Sequence, residues 1–373
     1  SMHSSTYPHF FHGSSHRQRE YATVTFMNDV MLQPMGERTP MTQSLRDRAQ
    51  DAIMCCAALA WRIGGNVLFG MTTALALQQV PLPEACDLDA EMLHITSSTP
   101  DRRRRRIPGT HPHVWKLIAT HPDACVPIKG NVFALHPFHA WAQLSSHVSL
   151  EELVILAEAI ITAISKSSGR YPRLVLSSLR EFIDNAPYFL GKTACRTALQ
   201  LVKANVLSPK ESKARLVLLR HGLPDAEVNC HVDRAMFDSG KPMSLDIAWK
   251  HFKVAVEYDG DHHRTDKHQW RRDRKKRDRL RQLGWTIIVI TADDIRDEVA
   301  CAEFALNVAR ELTLRGCDVD FRVIAMTVEE LARREKAADR KSDVNPRSDT
   351  SRIIMPCTGR AAPSMLRDSP SAM

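Results

Sequence analysis

Two apolar runs that each carry a single acid constrain this chain more than any other feature. Ser244–Trp249 reads SLDIAW and Phe252–Tyr258 reads FKVAVEY, separated only by Lys250 and His251. Alternation and β-branched content predict two strands joined by a tight turn, which must pair antiparallel. Pairing about that turn sets 244 near 257 and 246 near 255. Asp246 and Glu257 then converge across the ladder on one face. Asp259 lies two residues past Glu257 and shares its face. Two carboxylates about 4 Å apart repel by roughly 1 kcal/mol in water and by about 4 at an effective dielectric of 20. A proton or a bound cation relieves that repulsion. Hard oxygen donors favour Mg²⁺, Mn²⁺ or Ca²⁺ over zinc.

The flanking sequence supplies the frame. Ser208-Pro209 opens a helix to about 221, closed by Gly222 and Pro224. A strand is expected near 226–232. After FKVAVEY comes a basic helix over 267–283, ended by Gly284. TIIVIT over 286–291 is a continuous apolar strand, suited to the middle of a covered sheet. Asp293-Asp294 is expected to cap a last helix to about 314. The order over 207–316 is helix, three-stranded antiparallel meander, helix, strand, helix: an α/β layer.

Residues 1–45 are rich in Ser, His, Pro and Arg and read as a disordered tail. Residues 46–206 read as a mostly helical α+β region, with a helical stretch over 46–83 broken at Pro81 and Pro83. A strand is expected at 92–97. Arg102 to Arg106 form either a solvated loop or a phosphate contact. SLEELVILAEAIITAIS over 149–165 is a helix with Ser149 at its N-terminus. Residues 317–373 read as a short helix near 327–338 followed by a disordered tail.

Composition narrows the partners. The net charge of +8 points to a polyanion but does not identify one. Nine scattered cysteines without a CxxC pair read as free thiols in a reducing cytoplasm and give no structural zinc spacing. No apolar run reaches the roughly 18 residues of a membrane span, so no membrane partner and a cytoplasmic location are expected.

Several side chains around the acid pair have two readings. Glu211 either closes a capping box with Ser208 or adds a ligand. His263, behind the turn at Gly260, is either a surface histidine or a group that takes or gives a proton. Asp259 is either a solvated turn acid or part of the cluster. The helix over 267–283 carries nine Lys or Arg against Asp273 and Asp278. It is either a solvated, salt-bridged face or a positive wall beside the carboxylates. In the second reading Arg271, Arg272, Arg274, Lys275 and Arg277 face phosphates. Asp273 is expected to orient nearby arginines rather than bind metal.

The stretch LDIAWKHFKVAVEYDGDHH, followed by QWRRDRKKRDRLRQLGWTIIVIT, resembles the very-short-patch repair endonuclease-like branch of the PD-(D/E)XK nucleases. The family pattern places an Asp in one strand and E-x-D-G-x-x-H at the end of the next. R-D-x-x-R-x-x-x-L-x-x-x-G-W then leads into a further strand. These positions fall on Asp246, on Glu257, Asp259, Gly260 and His263, and on Arg272, Asp273, Lys276 or Arg277, Leu280, Gly284 and Trp285. Glu211 matches the family's helix acid. The resemblance covers roughly 208–314. It implies a restriction-endonuclease-like core and Mg²⁺-dependent DNA cleavage, with Mn²⁺ as a substitute. It also implies metal binding by Asp246, Glu257 and the Tyr258 carbonyl, with His263 as general base or acid and Glu211 as auxiliary acid. The lysine that the wider superfamily keeps two residues after the Glu is Asp259 here. Upstream, 46–200 faintly resembles the antitoxin-type region of abortive-infection systems.

The expectation is therefore a metal-dependent DNA endonuclease. The alternative is a non-catalytic DNA-binding or antitoxin-type regulator that keeps the fold and the basic helix. An RNA target fits the same residues.

Overall fold

The structure, a computed structural model, describes residues 40–89, 91–100, 107–260 and 267–344. The expectations for the N-terminal tail up to 39, for the arginine run, for His263 and for the tail beyond 344 fall outside these residues. The described chain is mixed α/β, with two open mixed sheets.

The first sheet belongs to the N-terminal half. Helix α1 (Pro40–Ile63) leads into β1 (Val67–Phe69), α2 (Met71–Leu77), β2 (Leu93–Ser97), β3 (Thr110–Val114), β4 (Cys125–Lys129) and β5 (Val132–Leu135). The strand order is β3-β2-β1-β5-β4. The single helical stretch expected over 46–83 is thus two helices with a strand between them, and the first begins at Pro40. Gly64, with φ +74°, ends α1, and the buried VLF run then pairs in the sheet. Four helices follow: α3 (Pro137–Leu144), α4 (Leu150–Ser168), α5 (Pro172–Asn185) and α6 (Lys192–Ala198). The Ser149 hydroxyl caps α4 by accepting from the Glu152 N–H at 3.2 Å.

The second sheet follows α7 (Pro209–Arg220). Strands β6 (Glu227–Met236), β7 (Pro242–Trp249) and β8 (Val254–Tyr258) form an antiparallel meander. Helix α8 (Lys267–Gln282) crosses over to β9 (Thr286–Ile290), which pairs parallel with β8. Helices α9 (Glu298–Leu314) and α10 (Val328–Val344) complete the chain. Gly284 ends α8 at φ +86°, a conformation that side chains rarely adopt. One cap differs from expectation. Asp297, not Asp293-Asp294, caps α9 by accepting from the Ala300 N–H at 2.9 Å. Asp294 instead accepts from the Thr291 N–H at 2.7 Å and closes a short 3₁₀ turn.

Apolar layers lie on both faces of this sheet. Ile247, Val254 and Val256 join α7 and α9, whereas Ala248, Ala255 and Ile287 join Leu280 of α8. Helix α7 serves two cores at once. Leu216 and Leu219 enter the N-terminal core, and Ala214, Val217 and Leu218 enter the second. A buried ion pair between Arg215 of α7 and Glu158 of α4 joins the halves. Arg215 also donates to the Leu201 carbonyl at 2.9 Å, and Glu158 accepts from the Lys203 N–H at 2.8 Å. These extra hydrogen bonds offset part of the desolvation that such a pair costs. Among the described residues no helix is long and apolar enough to cross a membrane.

Candidate active site

The β7–β8 turn is longer than the sequence suggests, and this decides the geometry of the acids. Residues 250–253 form the loop, with Lys253 at φ +50°. Trp249 pairs with Val254, Ala248 with Ala255 and Ile247 with Val256. The next step of this register sets Asp246 opposite Glu257, not opposite residue 255. A two-residue shift keeps every side chain on its face, so the expected convergence survives in a tighter form. Tyr258 sharpens it, because its N–H donates to Asp246 Oδ2 at 2.9 Å.

Helix α8 completes the site from above the sheet. Its inward residues follow helical spacing: Asp273, Lys276 and Arg277 are half-buried, Leu280 is fully buried, and Arg271, Arg272, Arg274 and Lys275 are exposed. Lys276 Nζ forms an ion pair with Glu257 Oε1, and both side chains are about 15% exposed or less. An ammonium therefore stands beside the acid. Sequence reasoning placed Lys276 or Arg277 in the helix pattern but missed the role of Lys276 beside Glu257. The signal was available: 273, 276, 277 and 280 lie on one helical face, and Leu280 had to point at the sheet.

The electrostatics follow from burial and crowding. Burial raises Asp246 to about 7, and the neighbouring charge of Glu211 pushes the same way. Lys276 and the Tyr258 N–H oppose the rise. Burial likewise raises Glu257 to about 6, with Lys276 lowering it and Asp246 raising it.

Glu211 sits at the first turn of α7. Its carboxylate accepts from the Ser208 hydroxyl at 2.8 Å and from the Leu207 N–H at 3.1 Å. The capping box is thus formed, and Glu211 acts on Asp246 through charge. Asp259 stands just past β8, where its N–H donates to the Ile290 carbonyl at 2.7 Å. Among the described residues, Asp246 and Glu257 belong to no group of three or more His, Cys, Asp or Glu gathered within reach of one ion. The pair fits a divalent ion by donor type: two carboxylates that supply hard oxygen ligands, held largely out of water.

The outer face of α8 is held by contacts to its surroundings. The Arg272 guanidinium lies 4.8 Å from the Phe237 ring centroid, and Lys275 pairs with Asp238 at 3.5 Å. Arg274, Arg277 and Arg281 line one open groove together with Asp278.

No model of a known protein family matches the chain, and no solved structure matches it. Two curated proteins of Mycobacterium tuberculosis, from strains CDC 1551 / Oshkosh and H37Rv, are each 33% identical over 122 residues. Both are described as uncharacterised. The match covers 33% of this chain and 43% of the length of those relatives.

Proposed function

We propose that residues 208–314 form a restriction-endonuclease-like core that hydrolyses DNA phosphodiesters with the help of a divalent ion. One observation carries the reading: Asp246 and Glu257 face each other across β7 and β8 beneath a strongly basic helix. Their carboxylates are the residues that would hold Mg²⁺ or Mn²⁺, with the Tyr258 carbonyl as a further oxygen donor. When bound, the ion would supply Lewis-acid stabilisation of the charge that builds on the phosphate.

The chain's own groups have distinct tasks. The Tyr258 N–H fixes the Asp246 carboxylate by donating one hydrogen bond to Oδ2, which stabilises its charged form. Lys276 orients Glu257 and places a positive charge where a phosphate oxygen would lie. The exposed Arg271, Arg272, Arg274 and Lys275, with Arg277 beside them, bind the strand through its phosphates and set its register. His263 remains the proposed group for moving a proton, with Glu211 tuning Asp246 from the cap of α7.

The Lys276–Glu257 ion pair also favours a second reading. An internal cation already offsets part of the carboxylate charge, as it would in a DNA-binding module that has given up hydrolysis. Supercoiled plasmid incubated with the full chain and Mg²⁺ or Mn²⁺ separates the two. Nicking by the wild type that disappears in Asp246→Ala supports the nuclease. Shifted but uncut DNA with both proteins supports the binding module.

A further inference from the structure

We propose that His94, His111 and His113 form a site for one divalent transition metal of the Zn²⁺ class, which ties the edge strand β3 to β2. This site lies in the first sheet and is independent of the nuclease reading.

The register builds it. Strands β2 and β3 run parallel, with His94 paired to His111 and Thr96 paired to His113. In THPHV the two histidines are separated by one proline, so period-two alternation puts both on the same face. Direct cross-strand pairing puts His94 on that face as well. The pairing of β2 with β3 therefore gathers three imidazoles on one face.

Their nitrogens converge on one point. His113 Nε2 lies 2.9 Å from His94 Nδ1 and 3.2 Å from His111 Nδ1. One potential ligand atom from each ring falls within 4.8 Å of the others. A ring nitrogen carries either one proton or one in-plane lone pair. His113 Nε2 thus cannot make two good hydrogen bonds to the other rings, one on each side. A shared cation satisfies all three lone pairs at once. A tetrahedral ion with bonds of about 2.0–2.1 Å spaces its ligand nitrogens about 3.3 Å apart. The observed 2.9 and 3.2 Å lie within a few tenths of an ångström of that spacing, and the remaining separation, His94 to His111, is no more than 4.8 Å.

Ligand chemistry selects the ion. Imidazole suits Zn²⁺, Cu²⁺, Ni²⁺ or Fe²⁺, whereas Mg²⁺ and Ca²⁺ prefer oxygen. The burial gradient sets the orientation: His94 is 1% exposed, His113 is half-buried and His111 is exposed. The fourth position thus faces outward. Strand β3 sits at the end of the sheet order, held by β2 alone, so a metal clip there secures an edge.

The test is calorimetric titration of the full chain with Zn²⁺, beside visible absorption of the Co²⁺-loaded protein. Both are repeated on His111→Gln and on His113→Gln. His111 is at the surface, so its replacement leaves the core untouched. The wild type should take up one equivalent of Zn²⁺ that excess Mg²⁺ does not displace. It should also show the intense visible bands of four-coordinate Co²⁺. Each variant should lose about 100-fold or more in affinity, beyond what outer-shell partners cost, together with those bands. Zn²⁺ should raise the thermal midpoint of the wild type alone. Equal Zn²⁺ stoichiometry and affinity in wild type and variants would overturn the proposal. That result would assign the ion to other histidines, such as His3, His9, His12 and His16, which all three proteins share. Wild-type protein that binds no Zn²⁺ would overturn it equally.

Discussion

The two sheets place polar ligands in apolar strands by opposite means. In the first, three imidazoles meet across β2 and β3, with ring nitrogens 2.9 and 3.2 Å apart. In the second, two acids meet across β7 and β8, and an ammonium has to stand beside them. An imidazole can shed its charge and stay a hydrogen-bonding group. Carboxylates without a cation cost the fold a great deal, and both Asp246 and Glu257 respond by holding protons to higher pH. A histidine cluster can therefore wait for its ion, whereas a carboxylate cluster has to be neutralised by the protein itself.

This contrast is broken most severely at Asp246. Asp246→Asn should reduce DNA cleavage by about 10³-fold or more, in the range lost with a principal electrostatic group. The same change removes a buried charge, so the thermal midpoint at pH 8 should hold or rise. Cleavage that survives in this variant would remove Asp246 from the mechanism. The buried joint between the halves comes next. Arg215→Met leaves Glu158 unpaired in the core and should cost about 3–5 kcal/mol by denaturant titration. The double variant with Glu158→Leu should recover much of that loss. Recovery of nothing would show that packing, not charge, binds the halves.

Lys276→Met should slow cleavage by about 10²-fold and move the pH profile to higher pH. The sign follows from charge: removing an ammonium lets Glu257 hold its proton longer. Lys276→Arg should restore the profile more than the rate. An unshifted profile in Lys276→Met would leave Lys276 a structural residue only.

Stability should carry the same signature. Both acids bind protons in the folded state that the unfolded chain releases near its ordinary carboxylate range. Folding therefore weakens as pH rises from about 4 to about 7 and levels off above, other groups being equal. Mg²⁺ should reverse that loss at pH 8 and do little at pH 5, as read by thermal unfolding. A Mg²⁺ effect that is equal at both values contradicts protonated acids at the site. The smallest effect belongs to the outer face of α8. Replacing Arg271 with Ala should lower the salt slope of DNA binding by about one and leave the preferred sequence unchanged.

The same contrast explains what the sequence could convey. The order of elements over 208–314 was legible because TIIVIT, SLDIAW and FKVAVEY are long apolar runs with clear boundaries. Of the first sheet only β2 was, expected at 92–97 and found at Leu93–Ser97. Strand β1 is only three residues long, β3 reads THPHV and β4 reads CVPIK, so neither β-branched content nor alternation marks them. Their pairing is set by tertiary contacts. The acid pair was legible, but its register was off by two, because Lys250-His251 looks like a complete turn and Phe252 and Lys253 belong to the loop as well. The pairing of Lys276 with Glu257 was not legible, because the helix pattern left Lys276 and Arg277 as alternatives among nine basic residues. The histidine cluster needed the pairing of β2 with β3, which local sequence does not announce.

The claim that one cation is shared by Asp246 and Glu257 is tested most directly by Mn²⁺ titration followed by electron paramagnetic resonance. Using His111→Gln as the parent keeps the histidine cluster from contributing. The account predicts one bound Mn²⁺ per chain at pH 8, lost when either Asp246→Asn or Glu257→Gln is added. Undiminished Mn²⁺ binding in both of those double variants would contradict it.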